Sequence, residues 1–478
     1  MAKFRLLDAV RPLTFILPDV ASPGRQVPFN LKIMFTSLSL LLYLWMSQVK
    51  PFGTLSVDTP DPLYSVRGSI GASKGSLTEL GVLPILTSGF TLQLLASARL
   101  IDVNFSLKED RALFGFVQKV FAIVAAVIQG TLIGLAGVYG SPAELGVTGI
   151  AILVAQLAAA TLVLALLDEL LEKGHGLGSG SLLFIGAHAC TTAVWGTLSL
   201  RWLDTPRGQQ YEGALPALLQ FVFGWHSVSR GLREAFWRAH LPNVLDVVST
   251  LAVIAACAFL QRVRVEFPVK HTRYQGQRGA YPIRILYTGV VPLMAAAALR
   301  ANLLLDLSAI AGALPDNFIL RLLGTWVNLD GSLVPVGGLA SLLVPPTSLI
   351  NALLHPIQTV VYTAFNVSAA AVFAQLWMSA SASEPYHVVK QLQEQQLTMI
   401  GHREGSMSKE FKRVIPGAAF LGAVIISSIG VLGDVTGALA GGAGAFMGLH
   451  IVQTYMAMGM MESGYGEMPG AAAMMDTL

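Results

Sequence analysis

Apolar residues in this chain gather into long runs separated by polar stretches that carry glycine and proline. A helix needs roughly 20 mainly apolar residues to cross the hydrocarbon core of a bilayer. Ten runs qualify, at approximately 31–49, 77–98, 114–138, 146–167, 181–200, 242–261, 284–310, 355–378, 414–433 and 437–459. The run from Leu215 to Trp225 is apolar but too short, and Ser332 to Ile350 is broken by prolines and a glycine pair. Irregular backbone at membrane depth is tolerated only against protein or water, so both segments read as parts of long loops on one side. At the start of the chain, Phe4, Leu7 and Val10 share a helical face away from Lys3, Asp8 and Arg11. That pattern suits a short helix lying in the membrane interface, and nothing there reads as a cleavable signal peptide.

Five runs precede the long loop 201–241 and five follow it, which permits two halves of opposite topology. The expected organisation is therefore an N-terminal half over 1–200, the loop 201–241, a C-terminal half over 242–462 and a tail over 463–478. Basic residues concentrate in two loops of the second half. Arg262, Arg264, Lys270, Arg273, Arg278 and Arg284 follow the sixth run, and Lys390, Arg403, Lys409, Lys412 and Arg413 follow the eighth. With ten spans, the loops 262–284 and 379–413 share a face with both termini, and the positive-inside rule makes that face cytosolic. The opposing loop is also basic, so the rule is met imperfectly.

Composition agrees with the pattern: 54% of the 478 residues are hydrophobic and 12% charged, and mean hydropathy is +0.62. A soluble domain carries about twice that share of charge. The chain reads as an all-α polytopic membrane protein. Cys190 and Cys257 each fall inside an apolar run, where packing is the simplest role.

Enzyme chemistry is missing from the motifs. There is no His-Glu-x-x-His pattern, no Gly-x-Ser-x-Gly elbow and no pair of aspartates within the runs. No metal or cofactor is expected. The stretch "KGHGLGSGSLLF" has the glycines of a phosphate loop, but Lys173 precedes them and both flanks are apolar and helical in pattern, so the nucleotide reading fails. His188 and His450 sit singly in apolar runs, as satisfied core residues do. Arg300 and Asp306 are the only notable charged pair in a run, and helix-end positions would explain them. The near-absence of charge at span centres argues against the alternative reading, a secondary transporter with broken helices. Uncharged polarity is present instead: Gln93, Gln129 and Asn302 lie in the second, third and seventh runs. On adjoining helices they would make a seam able to separate, because polar contacts exchange more easily than packed apolar ones.

Longer motifs carry a resemblance that runs nearly end to end. They are "VPFN", "SVDTPDPLYSVRG", "LTELGVLPILTSG", "LLDELLEKGHGLGSG", "EGA", "EAFWRAHLPN", "GAYPIRILYT", "HPIQTVVYTAF" and "GHREGSMSKEFKRVIP", in that order. In these the chain resembles the SecY family, the pore-forming alpha subunit of the Sec protein translocon, in its eukaryotic endoplasmic-reticulum form. The resemblance implies ten transmembrane helices in two pseudo-symmetric five-helix halves around a central pore. Unfolded polypeptide would cross through the pore, and apolar segments would leave it sideways into lipid.

Site residues follow from matching positions. The resemblance implies an apolar pore ring of Val82, Leu86, Ser181, Ile185, Met294 and Met447, in which Ser181 departs from the pattern. Apolar walls seal a narrow pore by making it unfavourable for water and ions, and methionines adapt to varied chains. It implies a lateral gate at Gln93, Gln129 and Asn302. A plug helix is implied over 61–74, including Asp61, Pro62, Leu63, Tyr64, Arg67 and Lys74. The glycine-rich turn becomes, by the resemblance, the hinge between the fourth and fifth spans on the cytosolic side, at Gly174, Gly176, Gly178 and Gly180. Arg273, Arg278 and Arg403 match or neighbour ribosome-docking positions, where ribosomal RNA phosphates attract basic loops; Gln275 stands where the family has an arginine. Implied partners are small beta and gamma subunits forming a heterotrimer, the ribosome, nascent polypeptides and signal sequences, and the lipid bilayer. In the family, plug cations and an acid near the cytosolic end of the eighth span help orient signal anchors. Here Arg67 and Lys74 are kept, but Ser379 stands at the acidic position and Gln375 replaces a nearby lysine. These departures together point to a divergent fungal paralogue serving co-translational entry.

Overall fold

The computed structural model describes residues 17–25, 27–54, 61–98, 100–101, 103, 107–140, 142–205, 208–224, 228–238, 241–271, 278–313, 323–329, 332–346, 348–381, 383–400 and 404–462. The expected interfacial helix at the start, the tail 463–478, Arg273, Gln275 and Arg403 lie outside the described residues.

The chain is mostly helical, and ten of its helices coincide with the ten apolar runs. They are α1 (Phe29–Met46), α3 (Leu83–Ser97), α4 (Lys108–Leu135), α5 (Pro142–Leu170), α6 (Gly180–Leu198), α9 (Val244–Arg262), α10 (Val291–Ala313), α12 (Pro356–Ala380), α14 (Glu404–Val435) and α15 (Gly441–Glu462). Eight of these are long and apolar enough to cross a membrane; α3 and α15 are not among the eight. α3 has only 15 residues, about 22 Å of helix, short of a hydrocarbon core of about 30 Å.

The second run was expected to be helical from residue 77, yet its first six residues are turns. Their backbone groups are satisfied elsewhere: the Leu77 N–H donates to the Val49 carbonyl and the Val82 N–H to the Ile70 carbonyl. Gly81 adopts a left-handed φ of 53°, and Pro84 then opens the helix where its missing N–H costs nothing. The segment preceding this turn forms the single-turn α2 (Arg67–Ile70).

Strands, absent from the sequence reading, build three small sheets in the loops among the described residues. β1 (Trp202–Thr205) pairs with β2 (Gly208–Tyr211), and β5 (Thr325–Leu329) with β6 (Ser332–Gly337). β3 (Arg264–His271) lies between β4 (Arg278–Arg284) and β7 (Leu397–Met399). This last sheet joins the two basic loops into one unit. Its apolar face packs Ile283 and Met399 with Val388, Val389 and Leu392 of α13 (Pro385–Glu394) and with Phe411 and Ile415 of α14. The loop 201–241 also contains α7 (Ala214–Gly224) and α8 (Val228–Phe236), and α11 (Leu349–Leu354) precedes α12.

One apolar cluster runs through the centre of the helices. It draws Tyr43 from α1, Leu83 from α3, Ile133 from α4, Leu157 from α5, Phe184 from α6, Leu304 from α10 and Phe446 from α15. Cys257 is buried as expected, but Cys190 is exposed on α6 and does not pack in a core.

Candidate functional site

The segment Asp61–Lys74 turns back into the central cluster instead of lying on its surface. Leu63, Val66 and Ile70 are fully buried there, Asp61 and Pro62 are buried, and Tyr64 and Lys74 are half-buried. The Tyr43 hydroxyl donates to the Gly71 carbonyl at 2.8 Å and its ring stacks on Phe184. A Cβ at Gly68 would sit 2.1 Å from the Ala440 carbonyl oxygen, so glycine is what lets α2 touch the start of α15. Such burial of polar backbone requires partners for every charge carried inside.

Arg67 has them. Its guanidinium bonds both Asp61 and Glu79, and Glu79 also accepts from the Tyr139 hydroxyl at 3.0 Å and from the Gly75 N–H. A buried cation held between two carboxylates is a structural clasp. Arg67, for which the resemblance implies a part in orienting signal anchors, is paired here with Asp61 of the segment and with Glu79 just beyond it. Ser379, at the expected acidic position, is exposed near the end of α12.

The apolar positions converge. Val82, Leu86, Ile185, Met294 and Met447 all belong to the central cluster, supplied by the start of α3, by α6, by α10 and by α15. Ser181 is buried one turn before Ile185, but its polar groups turn to the opening of α6. Its hydroxyl meets that of Ser179 at 2.8 Å, and its N–H donates to Asp168 at 2.8 Å. A hydroxyl that close to a carboxylate and a second serine is satisfied locally.

Beside this cluster lies a polar seam. The Gln129 side-chain amide donates to Asn302 Oδ1 at 2.7 Å, and the Asn302 amide donates to Thr87 Oγ1 at 3.0 Å. The chain Gln129–Asn302–Thr87 links α4, α10 and α3. Gln93 does not join it. About two turns further along α3, Gln93 lines an apolar cleft with Phe90, Ala295, Phe373 and Trp377, between α3, α10 and α12. The grouping of three amides is therefore corrected to two amides and a hydroxyl. Thr87 escaped notice because a threonine in an apolar run is ordinarily bonded to its own helix, as it also is here through Leu83.

Arg300 stands in the interior of α10, 3% exposed, and not at a helix end. It bonds the Tyr362 hydroxyl and Asn366 of α12, and Tyr362 in turn donates to Asp434 of α14 at 2.7 Å. Asp434 also accepts from the Gly442 N–H at the start of α15. Asp306 is exposed and takes no part. Against the expected near-absence of charge at span centres, this chain buries a cation there, bonded to Tyr362 and Asn366 and linked through Tyr362 to Asp434. His188 and His450 each have a side-chain neighbour, Ser73 and Gln261, in keeping with core histidines.

The glycine-rich turn is tightly built. A π-helical turn, Leu171–His175, ends α5, and Gly174 and Gly178 take φ of 98° and 72°. A Cβ on Gly176 would lie 2.1 Å from Leu171 Cδ2, and one on Gly180 would lie 2.8 Å from Asp168 Cα. Residues 17–25 cross this turn: Lys173 bonds Asp19, Lys119 bonds Asp19 and Glu169, and His175 reaches the Ala21 carbonyl. A hydrogen bond shared with Glu169, together with Lys173 and Lys119, holds the Asp19 carboxyl well below the usual carboxylate range. Of the basic loop residues, Arg278 opens β4 opposite Lys270.

Comparison with known proteins meets this geometry. The SecY family model matches residues 76–456. The protein transport protein SEC61 subunit alpha of Neurospora crassa is 42% identical over 98% of this chain and 99% of its own length. The protein of the same name from Yarrowia lipolytica is 42% identical over 97% of this chain and 98% of its own. Among solved structures, a protein-conducting channel superposes with a TM-score of 0.78 at 26% identity, covering 96% of this chain and 98% of that one. The idle yeast Ssh1 complex bound to the yeast 80S ribosome contains a chain that superposes at 0.78 with 31% identity, over 99% and 98%. Sec61 in the canine ribosome-channel complex from the endoplasmic reticulum superposes at 0.75 with 25% identity, over 96% and 98%. With a family model matched across most of the chain and relatives aligned along nearly their full length, this protein belongs to the SecY family.

Proposed function

We propose that the chain is the pore-forming subunit of a protein-conducting channel. It passes secretory polypeptides across the endoplasmic reticulum membrane during their synthesis and releases apolar segments sideways into lipid. The observation that carries the reading is the juxtaposition of a buried segment, an apolar cluster and a polar seam on three adjacent helices. Asp61–Lys74 fills the space beside Val82, Leu86, Ile185, Met294 and Met447, as a stopper does, and apolar side chains there keep water and ions out when no chain is present. The seam Gln129–Asn302–Thr87 holds α3 and α4 to α10 by a few hydrogen bonds, each worth about 1 kcal/mol net. A transmembrane segment entering between those helices replaces the bonds by its own burial in lipid. No covalent step is needed, because partition between water and hydrocarbon supplies the selectivity.

The sheet β4–β3–β7 presents both basic loops together, and it supports docking to ribosomal RNA phosphate through Arg273, Arg278 and Arg403. Small companion subunits, cytosolic termini and the paralogue role belong to the same proposal. Buried charge at Arg300 does not revive the transporter reading, since its partners Tyr362, Asn366 and Asp434 lie on helices of the same bundle. The test is reconstitution of the full chain with its co-isolating subunits in proteoliposomes, followed by ribosomes carrying a secretory nascent chain. Protection of that chain from added protease is expected. No protection, combined with uptake of a small solute, would sink the proposal.

A further inference from the structure

α7 is only 11 residues long, about 16 Å of helix, and it is apolar on two faces. One face, Ala214, Ala217 and Phe221, is buried against Ala235 of α8 and against Tyr211 and Val244. Gln220 holds the polar side, accepting from the Tyr211 N–H and donating to the Gln209 carbonyl. The remaining face carries Leu215, Leu219 and Phe223 at successive helical turns, 38%, 56% and 83% exposed. A helix apolar on two sides in water would be an aggregation hazard, whereas one lying at a bilayer surface needs that second face.

The exposed face is continuous with the membrane-facing surface. α7 packs against the end of α6 and the start of α9. α6 exposes Val194, Trp195 and Leu198 there, and α9 exposes Val248 and Leu251. Trp195, Trp202 and Trp237 are all exposed around it, the residue type that settles at the boundary between hydrocarbon and headgroups. Exposed Arg201 and Arg233 in the same loop can reach outward to headgroup phosphate. The loop is held rigidly enough to place such a face: Glu212 accepts from Trp195 and Ser199, and Arg238 donates to the carbonyls of Tyr211 and Pro242.

We propose that α7 lies in the bilayer interface, with Leu215, Leu219 and Phe223 inserted among the acyl chains of the leaflet where α6 ends and α9 begins. The loop 201–241 is then a lipid-anchored clasp between the two halves of the chain. Its occupant is phospholipid, not a companion protein.

The test uses the full chain with its co-isolating subunits, with Cys190→Ser and Cys257→Ala, in nanodiscs of phosphatidylcholine and phosphatidylserine. Leu219→Cys, Phe223→Cys and, as a control in the polar hairpin, Gln209→Cys each receive an environment-sensitive fluorophore. Fluorescence at 219 and 223 is expected to be quenched by lipid bearing a shallow acyl-chain nitroxide at least about threefold more than at 209, with aqueous iodide giving the reverse order. Equal iodide quenching at all three sites would place α7 in water and overturn the proposal. Shielding of 219 and 223 from both quenchers would mean that a protein covers them, and would overturn it too.

Discussion

Arg67 shows what burial does to a charge. Held by Asp61 and Glu79 inside the apolar cluster, it cannot be removed without leaving two carboxylates uncompensated. Breaking such a buried group costs about 3–5 kcal/mol. Arg67→Met should therefore loosen Asp61–Lys74 and raise the resting ion conductance of the reconstituted, ribosome-free channel, with Arg67→Lys giving a smaller rise. Conductance unchanged in Arg67→Met would show that the segment does not seal. Asn302 is the hub of the seam, bonded on one side to Gln129 and on the other to Thr87. Asn302→Ala removes both bonds and strands a buried amide, a change of about 1–3 kcal/mol. The expected outcome is a larger inserted fraction of a marginally apolar segment, read by glycosylation of its flanks. Replacing Gln129 and Asn302 together by leucine should act in the opposite direction, because nothing polar is then left unpaired.

At the scale of elements, the turn between α5 and α6 is a packing device. Gly180 faces Asp168 Cα, which as backbone cannot move aside, whereas a Cβ at Gly115 in the exposed turns of α4 would meet nothing within 4 Å. Gly180→Ala should overpack and destabilise by about 1–3 kcal/mol, and Gly115→Ala should stabilise by roughly 0.5–1 kcal/mol through helix propensity. Thermal unfolding midpoints in detergent should move in opposite directions; a shift of the same sign in both would show that the turn has room for a Cβ at Gly180. The sheet β4–β3–β7 is a second such element. Because it unites the two basic loops, charge reversals in them should act on one docking surface. Arg403→Glu and Arg278→Glu together should weaken ribosome binding and flatten its dependence on salt, since each lost phosphate contact lowers both. Binding that is unaltered across salt would leave these residues only a role in orienting the chain in the membrane.

For the whole molecule the open quantity is the direction in which the ten runs thread the bilayer. Ten crossings with the basic loops cytosolic put the hairpin at Gln209 on the far side and Asn104 on the near side. A glycosylation site engineered at Gln209 should then be modified, and the native sequon at Asn104–Ser106 should not. Sugar on Asn104 would overturn the threading. α3 and α15 bear on this count, since neither is among the helices long and apolar enough to cross alone. Both instead supply residues to the central cluster, where protein takes the place of lipid as their surroundings.

The membrane-spanning character was legible in the chain because a bilayer acts on each window of about 20 residues separately, without reference to the rest of the fold. Motif order likewise carried the family, and the matched positions Val82, Leu86, Ile185, Met294 and Met447 share one buried cluster. Which polar groups find one another was not legible. Gln129 meets Asn302 across 173 residues, and Asn302 meets Thr87 across 215. Arg300, Tyr362 and Asp434 come together only when three helices pack, and so a residue that looked like a helix-end charge became a buried link. The strands of the loops were hidden for the same reason: β7 is three residues long and exists because β3 lies beside it. Local hydrophobicity decides what enters the membrane; pairing of polar groups depends on distances between helices, which only the packed structure sets.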